Sequence, residues 1–270
     1  MKITTYFLFI LLSISAISFG QDLPGARQVA LTHSDISYSN DVFSLFNNPA
    51  GLALTKQREI GLYYSPSPYG LPELANANGA YCEPTQFGTF SAGFSIFGFE
   101  LYKQTQIAVG YGRKIYDNFY IGGTAIYQNL TIKNYGSKGS FFLNVGGIGT
   151  ISDQLGFGFA IENLTRTTVS NDANQIPTVF WGGLHLKVVK EFIFSAALSK
   201  EIGYNPSIRL GVEYSILDFV RLRFGTHNEP NSYAGGFGVI YQFLQVDYAV
   251  TKHPDLGLTH QIGLIVRFNK

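Results

Sequence analysis

Apolar and polar side chains alternate in short runs over most of this chain, from about residue 57 to the end. In residues 207–216, one set of alternate positions holds Ile208, Leu210, Val212, Tyr214 and Ile216, and the other holds Ser207, Arg209, Gly211, Glu213 and Ser215. Residues two apart share a face of a strand, so this run predicts a strand with one apolar and one polar side. The runs that begin near residues 219, 244 and 258 repeat the pattern.

Turn-forming residues divide this region into about fourteen such runs. The predicted strands begin near Arg58, Asn76, Gly88, Gln104, Phe119, Ser140, Leu155, Thr178, Phe192, Ser207, Phe219, Ser232, Leu244 and Leu258.

The connections between the predicted strands alternate in length. Even-numbered connections are short, at residues 84–86, 116–118, 152–154, 188–191, 217–218 and 242–243. Odd-numbered connections are mostly longer, at residues 66–75, 98–103, 134–138, 166–177, 201–206, 227–231 and 253–257. Membrane barrels combine short turns at one end with longer loops at the other, whereas Greek-key sandwiches do not. The predicted fold is all-β, a transmembrane antiparallel barrel of about 14 strands with a short N-terminal helical plug.

The plug is predicted from residues 41–54, the one stretch that does not resemble a strand. Asn40 or Asp41 is suited to cap a helix, apolar residues follow at helical spacing, and Pro49 disfavours helix in the residue before it. Gly51 then permits a tight reversal. Residues 27–38 are predicted as a strand or extended lead-in. The predicted domains are therefore a plug over residues 21–56 and a barrel over residues 57–270.

A barrel of this size has a wide lumen. Fourteen strands spaced about 4.8 Å apart and tilted about 40° give a backbone radius of about 14 Å. Small inward residues cannot fill that space; examples are Gly211, Gly225, Gly236 and Gly238. Either water or the N-terminal segment must occupy it.

The first twenty residues resemble an export signal. Lys2 precedes an apolar run at residues 6–17, and Ser18-Phe19-Gly20 forms a small-x-small cleavage site before Gln21. No other stretch approaches 18 uncharged apolar residues, so no transmembrane helix is predicted.

Composition supports a membrane barrel. Charged residues make up 14% of the chain and aromatic residues 15%, whereas soluble domains average about 25% charged. Without Lys2 the chain has 18 basic residues (19 − 1) against 18 acidic ones, which argues against nucleic acid as a partner. The single cysteine, Cys82, excludes an internal disulfide and is predicted to be a small buried or wall-facing residue of a strand.

No motif predicts an enzyme, a cofactor or a metal site. The five histidines are scattered without metal-ligand spacing, and no nucleophile elbow occurs. The glycine clusters at residues 110–112 and 146–149 lie inside strand patterns with no following helix to bind phosphate.

Six charged residues are predicted to face the lumen on neighbouring C-terminal strands. They are Arg209, Glu213, Arg221, Arg223, Asp247 and Arg267. Two interpretations stay open: a salt-bridge network that stiffens the barrel and anchors the plug, or a polar permeation path lined by arginines. Glu162 joins this group if its strand has the assumed phase.

A family resemblance adds to this interpretation. The run Asn48-Pro49-Ala50-Gly51, with Leu52-Ala53 after it and Gly25-Ala26-Arg27 and Asp41 before it, resembles the N-terminal signature of FadL-like outer-membrane proteins, most closely the PorV/PorQ-type branch. The superfamily implies fourteen strands and capture of hydrophobic substrates by apolar outer loops. PorV-like members imply barrels that accompany type IX secretion. Here only the loop at residues 66–75 is markedly apolar.

The sequence therefore predicts a monomeric barrel, in contact with lipid, in the outer membrane of a Gram-negative bacterium. The first functional prediction is an accessory barrel that binds a secretion-system protein partner. The second is a FadL-like passive channel for a hydrophobic solute, which predicts a continuous apolar tunnel from the Tyr69–Leu74 loop to a gap in the wall. The third is a secreted, soluble β-sandwich that needs no detergent for extraction.

Overall fold

The computed structural model describes residues 23–168 and 176–268. Fourteen antiparallel strands form one closed barrel in which each strand pairs with its neighbours in sequence and β1 pairs with β14. The strands are β1 Arg58–Ser65, β2 Asn76–Thr85, β3 Gly88–Gly98, β4 Tyr102–Tyr116, β5 Phe119–Ile132, β6 Gly136–Thr150, β7 Leu155–Glu162, β8 Val179–Val189, β9 Phe192–Glu201, β10 Ser207–Leu217, β11 Val220–Asn228, β12 Asn231–Tyr241, β13 Leu244–His253 and β14 Gly257–Phe268.

The predicted fold class and strand count are confirmed. The largest error in a strand start is at β6, which begins at Gly136 and not near Ser140. Glycines on both faces of this strand hide its alternation, because a glycine marks neither an apolar nor a polar side.

The connections follow the predicted alternation, although less sharply. The even-numbered connections have two to four residues, whereas the odd-numbered ones range from two to sixteen. The shortest of the latter is the Glu229-Pro230 turn, which was predicted to be a five-residue loop. We call the end of the barrel with the even-numbered connections the turn end, and the end with the odd-numbered connections the loop end.

The barrel exposes apolar side chains on much of its outside and buries several charged ones inside. Leu62, Ile208 and Phe224 are about half exposed, whereas Glu213 and Arg223 are 4% exposed. This arrangement suits a lipid environment. The β-sandwich prediction is wrong, because a single closed sheet replaces two packed sheets.

The N-terminal segment lies inside the barrel as a plug, here residues 24–55. It contains the short helix α1, Ala26–Ala30, and three 3₁₀ helices, Ser34–Ser37, Val42–Leu45 and Pro49–Leu54. The predicted cap is confirmed, since the Asp41 carboxylate accepts the Phe43 N–H at 3.0 Å. The predicted signal segment lies outside the described residues.

Two local predictions in the plug were wrong. Residues 27–38 are largely helical and not extended. The sequence predicted a strand here because the alternation of Ile36 and Tyr38 imitates that of a strand. The predicted short helix after Asp41 is present, as the 3₁₀ helix Val42–Leu45. Gly51 makes no reversal but lies inside a 3₁₀ helix, where a Cβ would overlap the Ser39 carbonyl.

The wall glycines let the plug backbone approach closely. A Cβ on Gly225 would lie 2.6 Å from the Leu31 carbonyl carbon, and one on Gly122 would overlap the Pro49 carbonyl. The plug therefore occupies the lumen beside these residues, which answers the question of what fills it. No helix among the described residues is long and apolar enough to cross a membrane.

Candidate functional site

A chain of buried ion pairs joins the plug to the wall. Glu213 on β10 accepts Arg27 Nε of the plug at 3.2 Å and Arg223 Nε at 2.6 Å, both at the same oxygen. Arg223 Nη1 reaches Asp247 on β13 at 2.6 Å, and Arg27 Nη1 reaches Asp41 at 3.3 Å. Each charge has at least one opposite partner, which offsets the cost of removing it from water.

A second link lies on the other side of the β14 strand. Glu59 on β1 accepts Arg267 Nε at 2.8 Å and the backbone N–H of Val42 at 2.9 Å. Arg267 also donates to Gln245 Oε1 at 2.8 Å. One wall carboxylate thus holds both a neighbouring strand and the start of a plug 3₁₀ helix.

The six predicted lumen charges do not form one group. Four take part in these two links, whereas Arg209 and Arg221 stand apart. Arg221 lies inward on β11 but has no carboxylate within ion-pair distance in the described part of the chain. Sequence reasoning missed Arg27 and Glu59, although the alternation of β1 places Glu59 on the inner face.

Asn48 of the predicted plug motif lies at the contact between the plug and strands β6 and β7. Its side-chain N–H groups donate to the Ile36 carbonyl at 2.7 Å and to the Gly147 and Phe159 carbonyls at 3.3 Å. Its Oδ1 accepts the Ala50 N–H at 3.2 Å and so caps the Pro49–Leu54 helix. One buried amide therefore orders the plug and fastens it to the wall.

An apolar group covers the plug near the loop end, and we call it the vestibule floor. Ile36 and Trp181 are buried in it, and Leu23 and Val179 are partly exposed beside them. The Trp181 indole N–H donates to Glu162 at 2.6 Å. Glu162 therefore orients this ring and has no place in the ion-pair network.

Arg209 links the vestibule floor to the plug. Its guanidinium lies over the Trp181 ring, 4.9 Å from the ring centre. It also donates to the Thr32 carbonyl at 3.0 Å and to Ser199 at 3.2 Å. A cation on the face of an indole is attracted by the partial negative charge of the ring face.

The apolar tunnel predicted below the Tyr69–Leu74 loop is not found at that wall. The inward residues of β1, β2 and β14 near this loop are buried and polar, and they include Ser65, Asn76, Asn78 and Gln261. The apolar surface lies instead on β8 and the plug.

Among the described residues, the shortest ladder of the wall is the one between β6 and β7, with six residue pairs. The ladder between β6 and β7 ends at the pair of Val145 and Ile161, although β6 continues nine residues farther towards the loop end. Beyond that pair, Leu164 N–H donates to the Leu143 carbonyl and Thr167 Oγ1 to the Phe141 carbonyl, each at 2.7 Å. The Asn163 N–H also donates to Asn144 Oδ1 at 2.9 Å, so three bonds from the described part of the loop stand where a strand ladder would continue.

Two titratable plug residues, neither part of a spanning strand, are strongly affected by burial. Burial lowers the pKa of His33 to about 3, and nearby Arg209 acts in the same direction. Burial raises the pKa of Asp35 to about 6, although Arg27 opposes this.

Within residues 23–168 and 176–268, no three His, Cys, Asp or Glu side chains are placed to hold a metal ion. Cys82 is buried, as predicted.

No family model and no curated protein matches the sequence. The fold is similar to that of solved channel structures. The CymD monoaromatic hydrocarbon channel superposes with a TM-score of 0.74 at 10% identity, covering 93% of this chain and 100% of that chain. A deletion mutant of the TodX monoaromatic hydrocarbon channel gives 0.72 at 12% identity, with coverage of 93% and 100%. A Pseudomonas aeruginosa FadL homologue gives 0.65 at 13%, with coverage of 91% and 98%.

Proposed function

We propose that this protein is an outer-membrane barrel that passes small hydrophobic molecules across the membrane without an energy source. The apolar exterior supports the membrane location, and the longer connections mark the end that faces the outside of the cell. The shared fold with hydrocarbon channels is consistent with this function. Neither the described residues nor the comparisons supply an observation that favours the secretion-accessory prediction or the PorV/PorQ branch.

The vestibule floor is the observation that carries the proposal. Most inward positions of the barrel are polar or glycine, yet Leu23 and Val179 present partly exposed apolar surface beside Trp181. The free energy falls when an apolar molecule covers apolar surface that remains exposed inside a lumen. The floor lies against Ile36 of the plug and includes Val179, the loop-end residue of β8.

The short ladder beside β7 supplies an exit. Asn163, Leu164 and Thr167 each donate one bond to β6 here, so fewer bonds must open than along a full ladder. The lipid-facing side of β7 is apolar, with Phe159 42% exposed. A hydrophobic molecule that leaves here enters hydrocarbon and never crosses water.

Uptake of radiolabelled toluene by proteoliposomes tests the proposal. We expect uptake above that of empty liposomes, and we expect Val179→Asp to reduce it by about tenfold, since a charge on the floor disfavours an apolar molecule. Asn231→Asp is the control, because it places the same carboxylate at an exposed loop-end residue.

Two results would contradict the proposal. One is uptake that does not exceed that of empty liposomes, and the other is uptake that Val179→Asp leaves unchanged. Swelling of the same liposomes in arabinose provides a polar comparison, in which we expect no entry because the plug fills the lumen.

A further inference from the structure

A groove of about 340 Å³ runs over the lipid-facing surface of β8, β9 and β10. It is lined by Gly182, Gly183, Ala196 and Ala197 and by the side chains of Leu184, Leu198 and Ile208. These three side chains are 48–54% exposed, so the groove opens outward and not into the lumen.

Several outward glycines of other strands are covered by the chain's own aromatic rings. The Phe94 ring lies over Gly79, and the Tyr127 ring lies over Gly139. A ring over a strand glycine replaces the packing that a side chain would have supplied.

Gly182 is left uncovered because the neighbouring Phe159 ring packs on the strand at its other side. Phe159 on β7 pairs with Gly147 on β6 and with Gly182 on β8. Its ring lies against Gly147, where a Cβ would meet it, whereas a Cβ on Gly182 would meet nothing within 4 Å. The groove is therefore a notch that the neighbouring ring could cover and does not.

A basic side chain stands at the outer end of this groove. Lys200 follows Leu198 on the same face of β9, so its Cα lies about 6.6 Å farther towards the loop end. Its ammonium donates to the Tyr204 carbonyl, which leaves two of its three N–H groups available. It is exposed and belongs to the outward face.

We infer that this groove binds one acyl chain of a phosphate-bearing lipid of the outer leaflet, with the head-group phosphate at Lys200. The groove supplies apolar surface on both sides of a narrow chain, and Lys200 supplies the charge that a phosphate prefers. The site does not depend on the proposed transport function.

Native mass spectrometry of the delipidated protein in mild detergent tests this inference, with lipid A as the anionic probe and phosphatidylcholine as the neutral comparator. Wild-type protein should retain one tightly held lipid A. Gly182→Phe fills the groove and should weaken retention by about tenfold. Lys200→Gln should reduce the preference for lipid A over phosphatidylcholine by about fivefold.

Gly235→Phe is the matched control, because Gly235 also faces outward, on β12, and its nearest atom is 3.8 Å from a built Cβ. It should retain lipid A like the wild type. Equal retention by the wild type and Gly182→Phe would overturn the inference, and so would equal losses in both phenylalanine variants. Cross-linked dimers that only Gly182→Phe abolishes would also overturn it, since a second copy would then be the occupant.

Discussion

Arg27 Nε and Arg223 Nε share a single oxygen of Glu213, at 3.2 Å and 2.6 Å. Arg27 belongs to the plug, whereas Arg223 belongs to β11 of the wall. The carboxylate is 4% exposed, so all three charges are held away from water. The plug is consequently bound to the wall through the Glu213 carboxylate, whose charge Arg223 of the wall also neutralises.

Arg27→Met should loosen the plug. Removing one member of a buried ion pair costs about 3 kcal/mol or more, although Arg223 continues to neutralise part of the Glu213 charge. We expect a lower midpoint for heat-modified gel migration and a larger single-channel conductance in planar bilayers. Arg58→Gln is the control, since Arg58 pairs with Glu83 on the exposed surface at 2.8 Å and should change neither value.

The double variant Arg27→Met/Glu213→Gln separates charge from packing. If the cost of Arg27→Met comes from an under-neutralised carboxylate, the double variant should be less destabilised than the sum of the two single variants. Simple addition of the two costs would contradict that explanation.

Gly122 and Gly123 are neighbours on β5 with opposite requirements. A Cβ on Gly122 would overlap the Pro49 carbonyl of the plug, whereas one on Gly123 would lie 3.6 Å from its nearest atom. We therefore expect Gly122→Ala to destabilise the barrel by about 1–3 kcal/mol. Gly123→Ala should leave stability unchanged or raise it slightly. Urea unfolding in detergent micelles measures both, and equal effects would show that the plug does not press on Gly122.

The strands could be predicted because their signal is local. The inner and outer faces of β10 differ at every second residue, so Arg209 and Glu213 could be assigned to the lumen without any knowledge of the plug. The partners of those charges could not be predicted. Arg27 meets Glu213 across 186 positions of sequence, and no periodic pattern relates the two.

The plug was harder to predict for a different reason. Its helices have four to six residues, too few to show a helical period, and they are held by the wall more than by their own hydrogen bonds. Asp41 was still recognisable, because a capping carboxylate acts on the next two residues. The vestibule floor combines Leu23, Ile36 and Trp181 from distant positions, and only the closed barrel brings them together.

Asn48→Asp should unfasten the plug from β6 and β7. The substitution keeps the size of the side chain but replaces its N–H donors with an oxygen, which then faces the Ile36, Gly147 and Phe159 carbonyls. A buried acceptor without a donor costs about 1–3 kcal/mol, and more when it is charged. We expect faster deuterium exchange at the amides of the Pro49–Leu54 helix.

The control for this prediction is Asn118→Asp. Asn118 donates to the Thr150 carbonyl at 3.3 Å in an exposed turn, so the same change there should leave exchange in the plug unaltered. Unchanged exchange in Asn48→Asp would show that backbone packing, and not the amide, holds the plug.

His33 should make plug stability depend on pH. Its Nδ1 lies 2.9 Å from Asn47 Oδ1, so Nδ1 carries the proton and Nε2 is the basic atom. The pKa of the folded residue is about 3 and the ordinary value is 6.5, so the unfolded chain gains a proton first as pH falls. Stability from neutral His33 is therefore lost as pH falls from about 6.5 towards 3. Asp35 acts in the opposite sense, because its folded pKa of about 6 makes the folded protein gain a proton first.

Comparison with His33→Asn isolates the histidine from Asp35. Asn tolerates the left-handed backbone at this residue, where φ is 59°, and it does not titrate. We expect the midpoint of thermal unfolding in mild detergent to fall more steeply between pH 7 and pH 4 for the wild type than for the variant. Parallel pH curves would show that water reaches His33 in the folded barrel, since a hydrated imidazole would keep its ordinary pKa.

Asp35→Asn provides the opposite test. This variant lacks the stabilising proton uptake of Asp35, so its midpoint of thermal unfolding should fall more steeply than that of the wild type over the same pH interval.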